Sequence, residues 1–167
     1  MRRVVITGIG VVSPNGIGRE AFSQAIVEGR SGVGPIESID VSGQAVKIAG
    51  EVKKFDVTPY LGEHRKNAKL MSRAVGFAVG ASALAVRDAD LNLAKLDPER
   101  FGVVMGTGIT PMDVREIAGP IARGTRPDGS FDFGAFSIAQ AESIFPLWLL
   151  KHLPNMAAAH LSILHQA

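Results

Sequence analysis

The sequence predicts an α/β fold with a mainly parallel sheet and buried helices. Two short apolar runs are typical of buried strands: Arg3–Ile9, which ends among Gly8 and Gly10, and FGVVM at 101–105, closed by Gly106–Gly108. Apolar stretches with helical spacing lie between and after them, and strands that alternate with helices favour a parallel sheet. Few other strands can be predicted, so we expect an incomplete sheet.

The first third of the chain has clear turn and helix signals. Residues 13–18 are turn-forming, and Arg19–Glu28 has apolar residues at helical spacing, with Gly29 as a C-terminal cap. A glycine-rich loop is predicted over 31–35. The stretch 47–52 (KIAGEV) is predicted to be a weak strand.

The middle of the chain contains the longest predicted helix. Thr58 followed by Pro59 is typical of an N-cap with proline at the first helical position. A helix rich in Ala, Val and Leu is then predicted over 66–88. Because apolar side chains surround most of its circumference, we expect it to be largely buried.

The last third is predicted to contain a loop between helices. Thr110 is expected to cap a helix, with Asp113 as the acid three residues later. The Gly- and Pro-containing stretch 119–134 is predicted to be a surface loop. A short apolar helix over 146–153 and an Ala-rich helix over 156–165 follow.

Composition excludes several classes of function. The chain has 167 residues, with 18 basic and 16 acidic side chains, and this small excess gives no reason to expect nucleic-acid binding. It contains no cysteine, which excludes disulfides, thiolate metal sites and a cysteine nucleophile within this chain. No apolar run approaches the ~20 residues that span a bilayer. We therefore expect a cytoplasmic protein.

Two glycine-rich turns are candidate ligand sites. The turn GIGVVS at 8–13 imitates a dinucleotide-binding motif, but Ser13 replaces the third glycine and a turn follows where a helix should begin. Nucleotide binding is therefore the weaker interpretation. The turn at 106–110 follows a predicted strand, where ligands of α/β sheets tend to bind, and a plain turn is an equal alternative.

The charged and histidine side chains give no metal site. Histidines 152, 160 and 165 are spaced by eight and five residues, and neither interval places ring nitrogens on one helical face. We predict neither a metal nor a cofactor. The basic residues Arg65, Lys66, Lys69 and Arg73 lie at a helix start, where positive charge opposes the helix dipole. They are either a solvated helix end or a surface that attracts an acidic partner.

Four segments, in this order, resemble the β-ketoacyl-[acyl-carrier-protein] synthase family of the thiolase superfamily. They are RRVVITGIGVVSPNGIG (2–18), AIVEGRSGVG (25–34), FGVVMGTGIT (101–110) and PLWLLKHLPNMAAAHLSI (146–163). The resemblance implies a layered fold of two similar α/β halves around buried helices. Residues 1–167 would form the N-terminal domain, truncated before the strand that carries the nucleophile.

The resemblance also implies a chemistry. Family members transfer an acyl group to a cysteine and extend it by decarboxylative Claisen condensation with malonyl-carrier protein, assisted by two histidines. None of the four histidines here matches those positions, so we expect no catalytic residue in this chain and no activity from it alone. A fragment of such an enzyme is the first interpretation. A non-catalytic ketosynthase-like partner subunit is the alternative.

The resemblance assigns lesser roles to five residues. Ile109 matches a position that borders the acyl pocket, and Trp148 matches a bulky residue near its far end, next to the dimer partner. Arg65, Lys66 and Lys69 lie where relatives meet the acidic acyl carrier protein, whose approach they would steer. The expected partners are acyl carrier protein and a second ketosynthase subunit, identical or not.

Overall fold

The computed structural model describes residues 3–108 and 113–167. Its helices are α1 (Arg19–Val27), α2 (Arg73–Asp88), α3 (Val114–Gly124), α4 (Phe133–Ser143) and α5 (Met156–His165). Five 3₁₀ helices connect them: Thr58–Tyr60, Gly62–Leu70, Leu93–Lys95, Pro98–Arg100 and Trp148–His152. No helix in the described part has the length and hydropathy needed to cross a membrane.

Among the described residues, four short strands form two antiparallel pairs. β1 (Val12–Ser13) pairs with β2 (Gly16–Ile17), and β3 (Val33–Pro35) pairs with β4 (Ile48–Gly50). The turn predicted over 13–18 is therefore the end of a tight hairpin. The loop predicted over 31–35 is wrong, because its second half forms β3. The weak strand predicted over 47–52 is confirmed as β4.

The two strands predicted at Arg3–Ile9 and 101–105 are wrong, since neither segment is in a strand. Val4 is 97% exposed and Val104 is 100% exposed, although both were expected to be buried. A strand requires hydrogen bonds to a neighbouring strand, and β-branched residues supply only a preference for the conformation. The parallel pairing expected of these segments does not occur among residues 3–108 and 113–167.

Helix α1 confirms its prediction, including its glycine cap. Gly29 adopts a left-handed conformation with φ of 64°. The Arg30 N–H then donates to the Ala25 carbonyl at 2.8 Å, and the Gly29 N–H donates to the Ile26 carbonyl at 3.1 Å. This pair of bonds is the Schellman arrangement, which satisfies the last carbonyls of a helix.

The long helix predicted over 66–88 begins later than expected. Residues 62–70 form a 3₁₀ helix, and Met71 and Ser72 are extended. The Ser72 hydroxyl accepts a hydrogen bond from the Val75 N–H at 3.3 Å and so caps α2. The predicted cap at Thr58 is also wrong, because Thr58 is already inside a 3₁₀ turn. Its N–H donates to the Asp56 carboxylate at 2.8 Å.

The surface loop predicted over 119–134 is wrong, because helices enter it from both sides. α3 continues to Gly124 and α4 begins at Phe133. Two aspartates cap these helices: the Asp113 carboxylate accepts from the Arg115 N–H at 3.0 Å, and that of Asp132 accepts from the Ala135 N–H at 3.0 Å. The predicted cap at Thr110 lies outside the described residues. The glycine and proline residues of this stretch led to the wrong prediction of a loop, because the capping aspartates determine where the two helices start.

The core lies between α2 and α5 and under the 3₁₀ helix at 62–70. Its buried members are Leu61, Met71, Val75, Ala78, Val79, Ala157 and Leu161. α5 spans Met156–His165, as predicted, and the stretch predicted over 146–153 contains a 3₁₀ helix. Both α5 and the 3₁₀ helix at 62–70 contact the 148–152 helix.

Candidate functional site

A cluster of four polar and aromatic side chains joins α3 to the 3₁₀ helix at 148–152. Glu116 lies in the first turn of α3 and receives two hydrogen bonds, from the Trp148 Nε1–H at 2.6 Å and from the Lys151 ammonium at 2.6 Å. Each bond uses a different carboxylate oxygen. The His152 ring packs on Trp148, with ring centroids 4.5 Å apart. We call Glu116, Trp148, Lys151 and His152 the Glu116 cluster.

The electrostatics of the cluster favour an ionised carboxylate. Burial raises the pKa of the Glu116 carboxyl, but the hydrogen bonds from Lys151 and Trp148 together outweigh burial and hold the pKa below its ordinary value. The Nε2 atom of His152 lies 3.8 Å from the Glu116 carboxylate, beyond hydrogen-bond distance. Both ring nitrogens of His152 lack a hydrogen-bond partner within the described residues.

Trp148 lines a cavity of about 370 Å³ between α3 and the end of α4. Its other lining residues include Pro120, Ile144 and Phe145, together with Arg115 and Arg123. The guanidinium of Arg115 is engaged by Asp113 at 2.7 Å. We call this space the Trp148 cavity.

A second, more apolar cavity of about 360 Å³ lies where the predicted glycine turn follows the 101–105 segment. Its lining residues include Gly106–Gly108, Leu153, Pro154 and Ala157, with side chains of α2 on the other side. The Thr107 hydroxyl donates to the Pro154 carbonyl at 3.4 Å. Ile109 itself lies outside the described residues. Trp148 is not among the residues that line this second cavity, so the structure does not bring it together with the glycine turn.

The basic residues predicted to meet a partner separate into two groups. Arg65, Lys66 and Lys69 are exposed, and within the described residues none of them has a carboxylate within 4.0 Å. Arg73 is engaged differently, because its guanidinium donates to the Val52 carbonyl and lies 5.0 Å from the centre of the Phe77 ring. We call Arg65, Lys66 and Lys69 the basic surface.

The basic surface adjoins the Trp148 cavity. The Lys69 ammonium lies 5.8 Å from the centre of the Phe145 ring, within the range of a cation–π interaction. Phe145 and Trp148 line the same cavity. A molecule bound to the basic surface would therefore be placed at the edge of this cavity.

The remaining histidines are packing or surface residues. His160 and His165 are buried, and burial lowers the pKa of each below the ordinary histidine value. The His165 Nε2 atom is 2.6 Å from the Ser82 hydroxyl, whereas the His160 Nε2 atom has no hydrogen-bond partner in the part of the chain that is described. In that part, no group of three or more metal-binding side chains is brought together.

Glu116 and Lys151 could not be identified as site residues from the sequence. An acidic side chain in the first turn of a helix, such as Glu116 in α3, is also favoured by the helix dipole alone. Trp148, Lys151 and His152 have i, i+3 and i+4 spacing, which would place them on one face of an α-helix and was the available signal. Their acidic partner is 32 residues earlier in the chain, and no local pattern indicates it.

Comparison with known proteins identifies the family. The model of the β-ketoacyl synthase N-terminal domain matches residues 1–167. The chain belongs to the β-ketoacyl synthase family. A 3-oxoacyl-[acyl-carrier-protein] synthase 2 of Vibrio harveyi is 31% identical over 98% of the chain and 35% of its own length. The synthase 2 of Synechocystis is 45% identical over 69% of the chain and 27% of its own length. The chain thus spans about a third or less of these relatives.

Solved structures confirm the fold class. The ishigamide ketosynthase/chain length factor matches with a TM-score of 0.74 and 27% identity, over 99% of this chain and 37% of its own. A second match, with a TM-score of 0.66, is the structure of a type II polyketide synthase acyl-carrier protein in complex with its ketosynthase bound to the hexaketide. The match covers 97% of this chain and 39% of that chain. At 19% identity, the second likeness concerns the fold alone.

Proposed function

We propose that this chain forms the carrier-docking and acyl-binding part of a β-ketoacyl-[acyl-carrier-protein] synthase that acts in fatty acid or polyketide biosynthesis. The observation that carries the proposal is the contact between the basic surface and the Trp148 cavity, made by Lys69 and Phe145. An acidic carrier protein bound to Arg65, Lys66 and Lys69 would hold its acyl group beside an aromatic-lined space. We therefore retain Trp148 as an acyl-pocket residue.

The condensation itself would depend on residues that this chain does not contain. Its sequence has no cysteine, so it cannot form the thioester that the family's reaction requires. The nucleophile and the two assisting histidines would come from further residues of a longer protein or from another subunit. We propose that residues 1–167 are an N-terminal domain that is inactive alone, and that Ile109 borders the acyl pocket. A cytoplasmic location stays a prediction.

The second candidate is a non-catalytic subunit that pairs with an active ketosynthase. It is favoured by the 27% identity to a structure described as a ketosynthase/chain length factor. Such a subunit needs no cysteine of its own. Copurification of this chain with an active ketosynthase would favour this candidate, whereas self-association alone would favour a homodimeric enzyme.

The docking proposal can be tested by charge reversal. We expect a variant with Arg65→Glu, Lys66→Glu and Lys69→Glu to bind acyl carrier protein roughly tenfold more weakly than the unchanged chain at low salt. The difference should shrink as salt screens exposed charges. Isothermal titration calorimetry with octanoyl-carrier protein measures both effects.

A matched control keeps the change in net charge constant. Lys47, Lys95 and Arg100 are also exposed, and none has a carboxylate within 4.0 Å in the described part of the chain. Reversing these three to glutamate should leave the affinity within about twofold, because they lie outside the basic surface. Equal losses in the two variants would show that carrier protein responds only to net charge, and would refute this docking site.

A further inference from the structure

Within the described residues, the indole of Trp148 has one polar contact, its hydrogen bond to Glu116. We propose that Glu116 is a positioning residue, whose carboxylate fixes the Trp148 ring at the wall of the Trp148 cavity and thereby leaves room in that cavity for long acyl chains. This inference rests on the proposed function, because it assumes that Trp148 faces bound acyl chains. It adds a residue whose effect on the acyl chain is exerted through another side chain.

The carboxylate is itself held from two sides. One oxygen accepts from the Trp148 Nε1–H and the other accepts from the Lys151 ammonium, both at 2.6 Å. The side chains of Glu116 and Lys151 are 29% and 18% exposed, so the ion pair is largely shielded from water. Hydrogen bonds to ionised groups are shorter and stronger than neutral ones. The carboxylate is thus a rigid acceptor for the indole.

The surroundings leave room for the indole if this contact is lost. The Nε1–H is the one hydrogen-bonding group of the indole ring, and it can only donate. Once the bond to Glu116 is lost, the ring therefore has no second polar group that could hold it in place. The cavity that it lines has about 370 Å³ of space. Without Glu116, the ring could turn into this space and vacate its present position.

The consequence for substrate choice follows from burial of methylenes. An indole turned into the Trp148 cavity would occupy the space that, in the proposed function, receives the distal carbons of a long acyl chain. Each methylene that becomes buried strengthens binding by about fourfold. Release of the ring that excludes two methylenes should therefore weaken binding of the longer chain by roughly fifteenfold.

Trp148 is the one tryptophan of the sequence, so intrinsic fluorescence reports on this side chain alone. Glu116→Ala removes the acceptor. Glu116→Gln retains an oxygen that can accept from the indole but loses the charge that attracts Lys151. Glu28→Gln is the control, since Glu28 bonds Arg30 at 2.6 Å and neither residue lines the Trp148 cavity. All variants would be made in the full chain.

Two measurements decide the proposal. The first is the emission maximum and acrylamide quenching of Trp148. The second is the affinity for carrier proteins that carry octanoyl, dodecanoyl or hexadecanoyl groups. We expect Glu116→Ala to shift emission to the red, to increase quenching and to change the preference away from hexadecanoyl by roughly tenfold or more. Glu116→Gln should fall between it and the unchanged chain, and Glu28→Gln should match the unchanged chain.

Each contrary result would refute a different part of the proposal. Unchanged emission and quenching in Glu116→Ala would overturn the positioning role. A changed emission with an unchanged acyl preference would overturn the effect on chain length. If the unchanged chain binds no acyl-carrier protein, the proposed function fails and the effect on chain length fails with it. In that case fluorescence still decides whether Glu116 positions Trp148.

Discussion

Replacing Gly10 with alanine should separate the N-terminal segment from α2. A Cβ atom at residue 10 would lie 1.8 Å from the Ala81 carbonyl oxygen and 2.5 Å from the Ala85 nitrogen, whereas real Cβ contacts are essentially never under 3.0 Å. The segment or the helix must therefore move by at least about 1.2 Å, the difference between 3.0 and 1.8 Å. Because the obstructing atoms belong to helix backbone, no side-chain rotation can relieve the clash.

The size of the effect follows from this displacement. Inserting a methyl group into a closely packed contact costs about 1–3 kcal/mol, and a backbone obstacle favours the upper end. With a urea dependence of about 2 kcal/mol per molar, a loss of about 3 kcal/mol lowers the unfolding midpoint by about 1.5 M. The same movement should weaken the bond of 2.9 Å from the Ile9 N–H to the Asp88 carboxylate.

Urea unfolding followed by circular dichroism and by Trp148 fluorescence is the assay. Gly34→Ala is the control, because a Cβ there meets nothing within 4 Å and the residue lies in β3. It should leave the midpoint unchanged or raise it slightly. If Gly10→Ala unfolds at the same urea concentration as the unchanged chain, the N-terminal segment does not lie against α2 as described.

Two further stability predictions use the same assay. Ser72→Ala should lower the free energy of unfolding by about 1 kcal/mol, because it removes the cap of α2. The control is Ser23→Ala, at an exposed residue of α1, which should have little effect. Equal losses in the two variants would contradict the capping role of Ser72. Burial lowers the pKa of His160 and His165, so the unfolded chain binds protons more readily and stability should fall as pH drops below about 6.5. Replacing both histidines with glutamine should reduce the difference between about pH 7.5 and about pH 5.5, and an unchanged difference would show that other groups cause it.

Helices α1 and α5 could be predicted from the sequence because their signals are local, whereas α4 was not predicted. Gly29 and the apolar spacing of 19–28 identified α1, and the Ala-rich stretch identified α5. The start of α2 was misplaced because the break at Ser72 follows residues that also favour helix. The segments at Arg3–Ile9 and 101–105 were misassigned because strand pairing depends on hydrogen bonds to distant residues.

The candidate site could be predicted only in part, because it too depends on contacts between residues that are distant in the sequence. The resemblance pointed to Trp148 and to the basic surface, and the structure adds that Lys69 connects the basic surface to the Trp148 cavity. Glu116 was not identified, because its contact with Trp148 depends on how α3 packs against the 148–152 helix. Tertiary packing of that kind leaves no pattern in either segment alone.

The most direct test of the account compares two forms of acyl carrier protein on the unchanged chain. Because the basic surface and the Trp148 cavity are proposed to act together, the acyl group should add to the affinity that charge provides. Calorimetric titration should show tighter binding of octanoyl-carrier protein than of the unacylated form, by about tenfold or more if two methylenes are buried. Equal affinities would contradict the account, because docking would then deliver no acyl chain to the cavity.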